Sequence, residues 1–202
     1  MTVKNIVFDV GNVLLRWSPQ DIVLNFFPNE KSPQELTLKL FKSPVWYDLN
    51  LGKLTVEETI QIYNQQLGIP KAELEDLMVA VMESLIPLDG SLELLDELYR
   101  QGMPLYSITD NVVEIMKFLK NRYDFFSKFS GIVVSAEIGV LKPSPLIYKR
   151  LIDSHLLDPK ETVFIDDLEK NVKGAQEIGL HGIHFTHADQ CRLELRELGV
   201  LV

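Results

Sequence analysis

The fold of this chain is decided near its start by the stretch IVFDVGN, residues 6–12. Ile6, Val7 and Phe8 form a short β-branched and aromatic run, and such a run is typical of a buried strand. The run ends at Asp9, so the predicted strand has a carboxylate at its carboxyl end. Ligands of open parallel sheets bind outside the carboxyl ends of the strands. Asp9 is therefore the first candidate for a functional residue.

The part of the chain that follows this strand contains signals for helix starts and no strand pattern. Ser18 and Ser32 are each followed by a proline, which is favoured at the first position of a helix. Thr55 is followed three residues later by a glutamate, which is the pattern of a capping box. Pro70 and the apolar residues after it indicate a fourth start. The sequence thus predicts four helices inserted after the first strand.

The remainder of the chain alternates between predicted strands and helices. Strands are predicted at residues 104–108, 132–134, 162–165 and 182–185, and helices at 91–100, 111–120, 144–152 and 171–178. Strands that alternate with helices imply right-handed crossovers and a parallel sheet. The predicted fold class is therefore α/β, with a core of residues 1–15 and 87–202 that is interrupted by a helical insertion at residues 16–86.

Size and composition exclude several classes of protein. A chain of 202 residues with 46% hydrophobic and 24% charged residues can bury a core, which excludes an intrinsically disordered scaffold. The net charge of −9 disfavours nucleic acid and anionic membranes as partners, and no apolar stretch is long enough to cross a bilayer. The single cysteine, Cys191, excludes an internal disulfide. The start of the chain does not resemble a signal peptide, so we expect a cytoplasmic protein.

Polar and ionisable side chains follow four of the five predicted strands. In chain order these residues are Asp9 and Asn12, Thr109 and Asp110, Lys142, and Asp166, Asp167 and Asn171. Asp9 and Asp167 offer hard oxygen ligands that suit Mg²⁺. Thr109 and Lys142 can together hold the oxygens of a dianionic phosphoryl group. A carboxylate nucleophile beside Mg²⁺ permits covalent catalysis through an aspartyl phosphate.

Four of these segments resemble, in the same order, the motifs of the haloacid dehalogenase superfamily. They are FDVGNVL at 8–14, the threonine that ends LYSIT at 109, the lysine of LKP at 142, and FIDDLEKN at 164–171. The resemblance covers nearly the whole chain. It implies a Rossmann-like core, a helical cap at residues 16–86, and a start similar to that of the subgroup that includes glucose-1-phosphate phosphatases.

The resemblance also implies a role for each matching residue. Asp9 would be the nucleophile and a Mg²⁺ ligand, and Asp167 and the carbonyl of Gly11 would be further ligands. Thr109 and Lys142 would bind the transferring phosphoryl group. The remaining positions are Asp110 near the substrate, Asp166 as a neighbouring acidic position, and Asn171 as a group that supports the metal ligands.

Three positions depart from the family pattern, and one of them is Asn12, which stands where glycine is usual. Gly11 stands where the family usually has a second aspartate, so the backbone carbonyl remains but the general acid is lost. Loss of a positioned acid typically lowers the rate by about 10²–10⁴-fold. We therefore expect substrates with good leaving groups, such as sugar 1-phosphates, aryl phosphates or acyl phosphates. Asp110 stands where asparagine is usual, and it is either a displaced acid or a turn residue.

The sequence favours a Mg²⁺-dependent phosphatase that hydrolyses small phosphomonoesters through an aspartyl-phosphate intermediate, with a sugar 1-phosphate as one candidate substrate. Two alternatives stay open. A metal-independent 2-haloacid dehalogenase would use the same nucleophile, Asp9, and also lacks the second aspartate. A catalytically silent binding protein on this fold would explain Gly11. The expected partner is a small phosphorylated metabolite, and the chain is a monomer or a homodimer.

Overall fold

The core of the computed structural model, which describes residues 3–202, is a five-stranded parallel sheet. Its strands are β1 (Asn5–Phe8), β2 (Leu105–Thr109), β3 (Gly131–Val134), β4 (Thr162–Asp166) and β5 (His181–His184). Their order across the sheet is β3-β2-β1-β4-β5. Each strand lies within one residue of its predicted position, and the predicted α/β fold with a parallel sheet is confirmed.

The register of the sheet aligns the strand ends that carry the candidate residues. Phe8 pairs with Ile165, and the backbone N–H of Asp9 donates to the Ile165 carbonyl oxygen at 2.9 Å. Phe8 also pairs with Ser107 of β2. The ends of β1, β2 and β4 therefore lie side by side, and the residues that follow them meet at one edge.

Eleven α-helices and two 3₁₀ segments complete the described part of the chain. The α-helices are α1 (Pro19–Phe26), α2 (Pro33–Phe41), α3 (Pro44–Asn50), α4 (Val56–Leu67), α5 (Lys71–Ser84), α6 (Ser91–Arg100), α7 (Val113–Arg122), α8 (Ser135–Ile138), α9 (Pro145–His155), α10 (Glu169–Glu177) and α11 (Ala188–Glu197). The 3₁₀ segments are Asp124–Lys128 and Pro159–Glu161. None of the helices in residues 3–202 is long and apolar enough to span a membrane.

The segment between β1 and α6 contains five helices, so the prediction of four helices was wrong by one. The additional helix is α3, which begins at Pro44 because Ser43 caps it: the Ser43 hydroxyl accepts a hydrogen bond from the Trp46 N–H at 3.2 Å. The predicted capping box at the start of α4 is confirmed, since Thr55 and Glu58 exchange hydrogen bonds.

The chain leaves and re-enters the core through paired segments. The Arg16 N–H donates to the Ile86 carbonyl at 2.8 Å, and the Leu88 N–H donates to the Leu14 carbonyl at 3.0 Å. The inserted helices thus depart and return at one place beside β1. The division of the chain into a core and a cap stays a prediction.

Apolar side chains cover both faces of the sheet, as expected for a parallel sheet with helices on either side. Ile6 and Phe8 belong to a cluster that includes the inserted helices, whereas Val7 of the same strand belongs to a second cluster with α9. Alternate residues of β4 divide in the same way. With both faces buried, the polar residues are left at the strand ends, where the site lies.

Candidate active site

Asp9 is the first residue after β1 and is only 7% exposed. Its Oδ1 atom accepts a hydrogen bond from the N–H of Val10 at 2.7 Å. The same oxygen lies 2.8 Å from Nζ of Lys142. A buried carboxylate needs such partners, because burial without them strongly disfavours its charge.

Lys142 holds two carboxylates together. Its Nζ atom lies 2.8 Å from Oδ2 of Asp166 as well as 2.8 Å from Asp9, and it donates to the Ile108 carbonyl at 3.3 Å. Asp110 holds the loop that carries this lysine, since its Oδ1 atom accepts from the Lys142 N–H at 3.0 Å. The lysine therefore reaches the end of β1 from a loop that is itself tied to the end of β2.

A glycine on α10 allows this loop to approach closely. A Cβ atom at Gly174 would lie 2.7 Å from the carbonyl oxygen of Pro143, a distance that real Cβ atoms essentially never show. Pro143 directly follows Lys142 in the chain. The absence of a side chain at position 174 is thus part of what seats the lysine.

Asp9, Asp166 and Asp167 each offer an oxygen atom, and these three atoms all lie within 4.8 Å of one another. Asp166 is fully buried, and besides Lys142 it accepts from the N–H of Leu168 at 2.8 Å and from the Asn171 side-chain amide at 3.0 Å. Asp166 therefore lies behind the other two carboxylates.

Asn12 orients the third carboxylate, and it was not assigned a role from the sequence. Its side-chain amide donates to Oδ2 of Asp167 at 3.3 Å, while its Oδ1 atom accepts from the Trp17 N–H at 2.9 Å. Asn12 has a φ of 54°, in the left-handed region. Asparagine adopts that region several-fold more readily than most residues, so an asparagine after Gly11 was a usable signal.

The electrostatics of the cluster are dominated by burial. Burial raises the pKa of Asp9 well above its usual value, and Lys142 offsets part of the rise. The pKa of Asp167 is also raised, first by burial and then by the charge of Asp166. Burial lowers the pKa of Lys142, but Asp9, Asp166 and Asp110 outweigh that effect and keep the lysine protonated. One lysine thus faces several carboxylates, and a further cation would favour their ionised forms.

A cavity of about 440 Å³ opens above this cluster. Every residue predicted for the site lines it except Asp166, which is buried beneath it: the lining includes Asp9, Gly11, Thr109, Asp110, Lys142, Asp167 and Asn171. Its opposite wall comes from the inserted segment and contains Trp17, Pro19, Gln20, Thr37, Lys42, Trp46 and Asn50. Trp46 and Asn50 belong to the aromatic and polar segment 46–50, for which the sequence leaves two interpretations open, a surface that faces the substrate or packing between the inserted helices. The other wall residues were not predicted as site residues, because their convergence depends on how the inserted helices pack.

The wall is stiffened by aromatic packing. The Trp17 and Trp46 rings are stacked with their centroids 5.9 Å apart, and Phe41 meets both edge-on. Such contacts contribute about 0.5–1.5 kcal/mol per pair beyond simple burial. The inserted segment therefore presents a preformed, largely apolar surface to the carboxylate cluster.

The amino-acid sequence of this chain is similar to those of known proteins. A profile of haloacid dehalogenase-like hydrolases matches residues 3–179. The chain is 28% identical over 197 residues to a sesquiterpene phosphatase of Aspergillus oryzae, with 98% of this chain and 97% of that protein covered. It is 26% identical over 209 residues to the D-ribitol-5-phosphate phosphatase of Bacteroides thetaiotaomicron, with 96% and 97% covered.

Solved structures share the fold. An enzyme of the haloacid dehalogenase (HAD) family from Bacteroides thetaiotaomicron, in complex with magnesium and inorganic phosphate, superposes with a TM-score of 0.76. The two chains are 26% identical, and the superposition covers 91% of this chain and 94% of that chain. The L-2-haloacid dehalogenase of Xanthobacter autotrophicus superposes with a TM-score of 0.68 at 16% identity over 95% and 82%, which is a likeness of fold alone. Since the family profile matches most of its length, this chain belongs to the haloacid dehalogenase-like hydrolases.

Proposed function

We propose that this protein is a Mg²⁺-dependent phosphatase that acts on small phosphomonoesters through an aspartyl phosphate on Asp9. The observation that supports this most is the buried pair of Asp9 and Lys142 at the floor of a cavity. A nucleophilic carboxylate needs a neighbouring cation when its target is a dianion. Thr109 lines the same floor.

The residues at the floor fit a magnesium ion. Three carboxylate oxygens within 4.8 Å of one another form the hard oxygen set that Mg²⁺ prefers, and burial raises the pKa of two of these groups. We propose that Asp9, Asp167 and the Gly11 carbonyl hold the ion. When bound, it would offset the charge of the phosphoryl oxygens.

The proposed reaction has two steps. In the first, a carboxylate oxygen of Asp9 forms a bond to phosphorus while the bond to the leaving oxygen breaks, and Lys142 and Thr109 hold the phosphoryl oxygens. In the second, water cleaves the aspartyl phosphate, which releases inorganic phosphate and restores Asp9. No side chain at Gly11 can donate a proton to the leaving oxygen in the first step. This supports substrates whose leaving group is stable as an anion.

The inserted helices, residues 16–86, would act as a cap that contacts the leaving group. Trp17 and Trp46 offer a flat apolar surface, and Gln20, Thr37 and Asn50 offer hydrogen-bonding groups. A ring that carries hydroxyls suits this wall, so a sugar 1-phosphate stays a candidate beside aryl phosphates. The proposed location is the cytoplasm, since a chain with one cysteine makes no internal disulfide that would require an oxidising compartment.

The test is release of inorganic phosphate from sugar 1-phosphates, sugar 6-phosphates, aryl phosphates and acyl phosphates, with Mg²⁺ and with a chelator. Asp9→Asn should abolish release, whereas Asp48→Asn, which alters an exposed aspartate paired with Lys53, should not. Release of halide from a 2-haloacid in the absence of metal would instead favour the dehalogenase. Neither product from any substrate would favour a silent binding protein.

A further inference from the structure

One buried hydroxyl joins the inserted segment to the loop that follows β2. Ser135 begins α8 and is fully buried. Its Oγ atom donates to the carbonyl oxygen of Asn50 at 2.7 Å and accepts from the backbone N–H of Asn111 at 2.9 Å. Asn50 is the last residue of α3, so this contact crosses from the inserted helices to the core.

Both partners of Ser135 lie at the proposed active site. Asn50 and Asn111 line the cavity, and Asn111 comes two residues after Thr109. The same Oγ atom is also 3.3 Å from the carbonyl oxygen of Asn111. A hydroxyl has one proton to donate, so it serves either the Asn50 carbonyl or the Asn111 carbonyl at a given moment. The hydrogen bond thus has two alternative acceptors, one on each side of the boundary.

The backbones of the two parts approach closely at the same place. Gly52 has a φ of +67°, and a Cβ atom there would lie 2.1 Å from the carbonyl oxygen of Ala136. Gly139, which ends α8, faces the Leu51 carbonyl with its ideal Cβ 3.9 Å away. The turn after α3 therefore rests directly on α8, and even a methyl group at position 52 would push it away.

We propose that Ser135 is a positioning residue that couples the seating of the inserted segment to the order of the loop that directly follows Thr109. When the turn after α3 rests on α8, the Ser135 proton points to Asn50, and the Oγ lone pairs hold the Asn111 N–H. When this turn moves away from α8, the Ser135 hydroxyl donates to the Asn111 carbonyl instead of the Asn50 carbonyl. The Asn111 N–H then no longer has an acceptor in a fixed orientation. This inference rests on the proposed function for its catalytic consequence, but the coupling itself can be measured without turnover.

The coupling is tested by hydrogen exchange of the Asn111 amide in Gly52→Ala, compared with Gly68→Ala. Both glycines have a positive φ in the inserted segment, at +67° and +71°, but a Cβ at Gly68 meets nothing within 4 Å. We expect exchange at Asn111 to accelerate roughly tenfold in Gly52→Ala, the equivalent of one hydrogen bond. Gly68→Ala should match the wild type. Equal exchange in the two variants would overturn the proposal, because Gly52→Ala displaces the turn after α3 from Ala136 and Gly68→Ala does not.

Ser135→Ala tests the same link from the core side, with Ser107→Ala as its control. Ser107 is also fully buried, but its hydroxyl has no hydrogen-bond partner within residues 3–202. We expect Ser135→Ala to accelerate exchange at Asn111 and at the turn after α3, and Ser107→Ala to change neither. A change confined to Asn111 would mean that the hydroxyl holds the loop without coupling it to the insertion, and would overturn the proposal.

Kinetics give a second, separable readout. In Ser135→Ala, kcat/KM for 4-nitrophenyl phosphate should fall several-fold more than for acetyl phosphate, whose leaving group is too small to need the wall of the inserted segment. Equal losses for the two substrates would argue for a merely structural role. If neither substrate is hydrolysed by the wild type, the phosphatase proposal fails, and the exchange experiment still decides the coupling.

Discussion

Nζ of Lys142 lies 2.8 Å from Oδ1 of Asp9, and the two residues are only 6% and 7% exposed. These residues are 133 positions apart in the chain and meet because parallel strands end at one edge of the sheet. Lys142 contacts Asp166 at the same distance. A buried pair of this kind is a poor source of net stability but is costly to break, since the partner is left charged and without a counterion.

Lys142→Met should therefore destabilise the fold as well as abolish activity. We expect the free energy of unfolding to fall by about 3–5 kcal/mol, because Asp9 and Asp166 would lose their shared cation. Urea denaturation at neutral pH measures the change. Lys4→Met is the matched control, since it breaks an exposed pair with Glu161 and should cost no more than about 1 kcal/mol. Similar losses of unfolding free energy in both variants would show that the buried ion pair costs no more to break than the exposed one.

Gly11→Asp should supply the general acid that the chain lacks. A Cβ atom at Gly11 would meet only the Trp17 Cβ, at an ordinary 3.7 Å, so the site has room for a side chain. We expect hydrolysis of a primary alkyl phosphate to accelerate by about 10²-fold or more, with little change for acetyl phosphate. Steady-state rates on the two substrates measure the effect. Gly11→Asn has the same shape without the acid, and an equal gain in that variant would contradict the explanation.

Asp110→Asn should stabilise the protein at neutral pH. Burial raises the pKa of Asp110, and Lys142 offsets only part of the rise, so the folded state favours the protonated form. The stability that Asp110 contributes is fully present below its unfolded pKa of about 3.8 and is lost as pH rises through the folded value. Asparagine keeps an acceptor for the Lys142 N–H and does not titrate. Urea denaturation at pH 4 and pH 7 should show the advantage of the variant growing with pH.

The same variant addresses the role of Asp110 in the reaction. Its Oδ1 atom accepts from the Lys142 N–H, which makes it an anchor for the lysine loop. We therefore expect the pH–rate profile of Asp110→Asn to match that of the wild type. Loss of the acidic or basic limb of that profile would instead identify Asp110 as the displaced acid.

The strand ends were predictable because their physical signals are local. Ile6, Val7 and Phe8 form a run that is typical of a buried strand, and the polar residues directly after parallel strands gather at one edge of the sheet. The extra helix α3 could also have been found, since Ser43-Pro44 repeats the serine–proline signal at Ser18 and Ser32.

The wall of the cavity could not be predicted in the same way. Trp17 and Lys42 reach the site because the inserted helices fold back over the strand ends, and helix packing is not encoded by any short motif. For Trp46 and Asn50, the aromatic and polar composition of residues 46–50 fits a surface that faces the substrate, but it fits packing between helices equally well. Ser135 is a similar case. Its hydroxyl serves residues 85 and 24 positions away, so its partners depend entirely on tertiary structure.

Intrinsic fluorescence should report on ligand binding directly. The chain has two tryptophans, Trp17 and Trp46, and both line the cavity. A phosphate ester whose leaving group contacts this wall should change the emission of Asp9→Asn, a variant that we expect to bind the ester without turnover. Titration with a sugar 1-phosphate, and with an aryl phosphate other than 4-nitrophenyl phosphate, measures the affinity. Inorganic phosphate should give a smaller change, because it has no group that reaches the tryptophans.

Cys191 should be inert in the folded protein and should report on unfolding at alkaline pH. It is fully buried in α11, and burial, with Glu194 nearby, raises the pKa of its thiol to about 12. Because the thiolate is the reactive form, a disulfide reagent at pH 8 should label the chain only after urea is added. Rapid labelling without urea would show that α11 opens locally.

The raised pKa also predicts how stability changes with pH. The thiol contributes stability that is fully present below its unfolded pKa of about 9 and is lost as pH rises toward the folded value of about 12. Between pH 8 and pH 10, the advantage of the wild type over Cys191→Ala should shrink by about 1.4 kcal/mol. The two proteins have all their other side chains in common, so the difference between them isolates the thiol. If the difference in unfolding free energy stayed constant over this pH range, the thiol would ionise as readily in the folded state as in the unfolded state. That would require water to reach Cys191 in the folded protein.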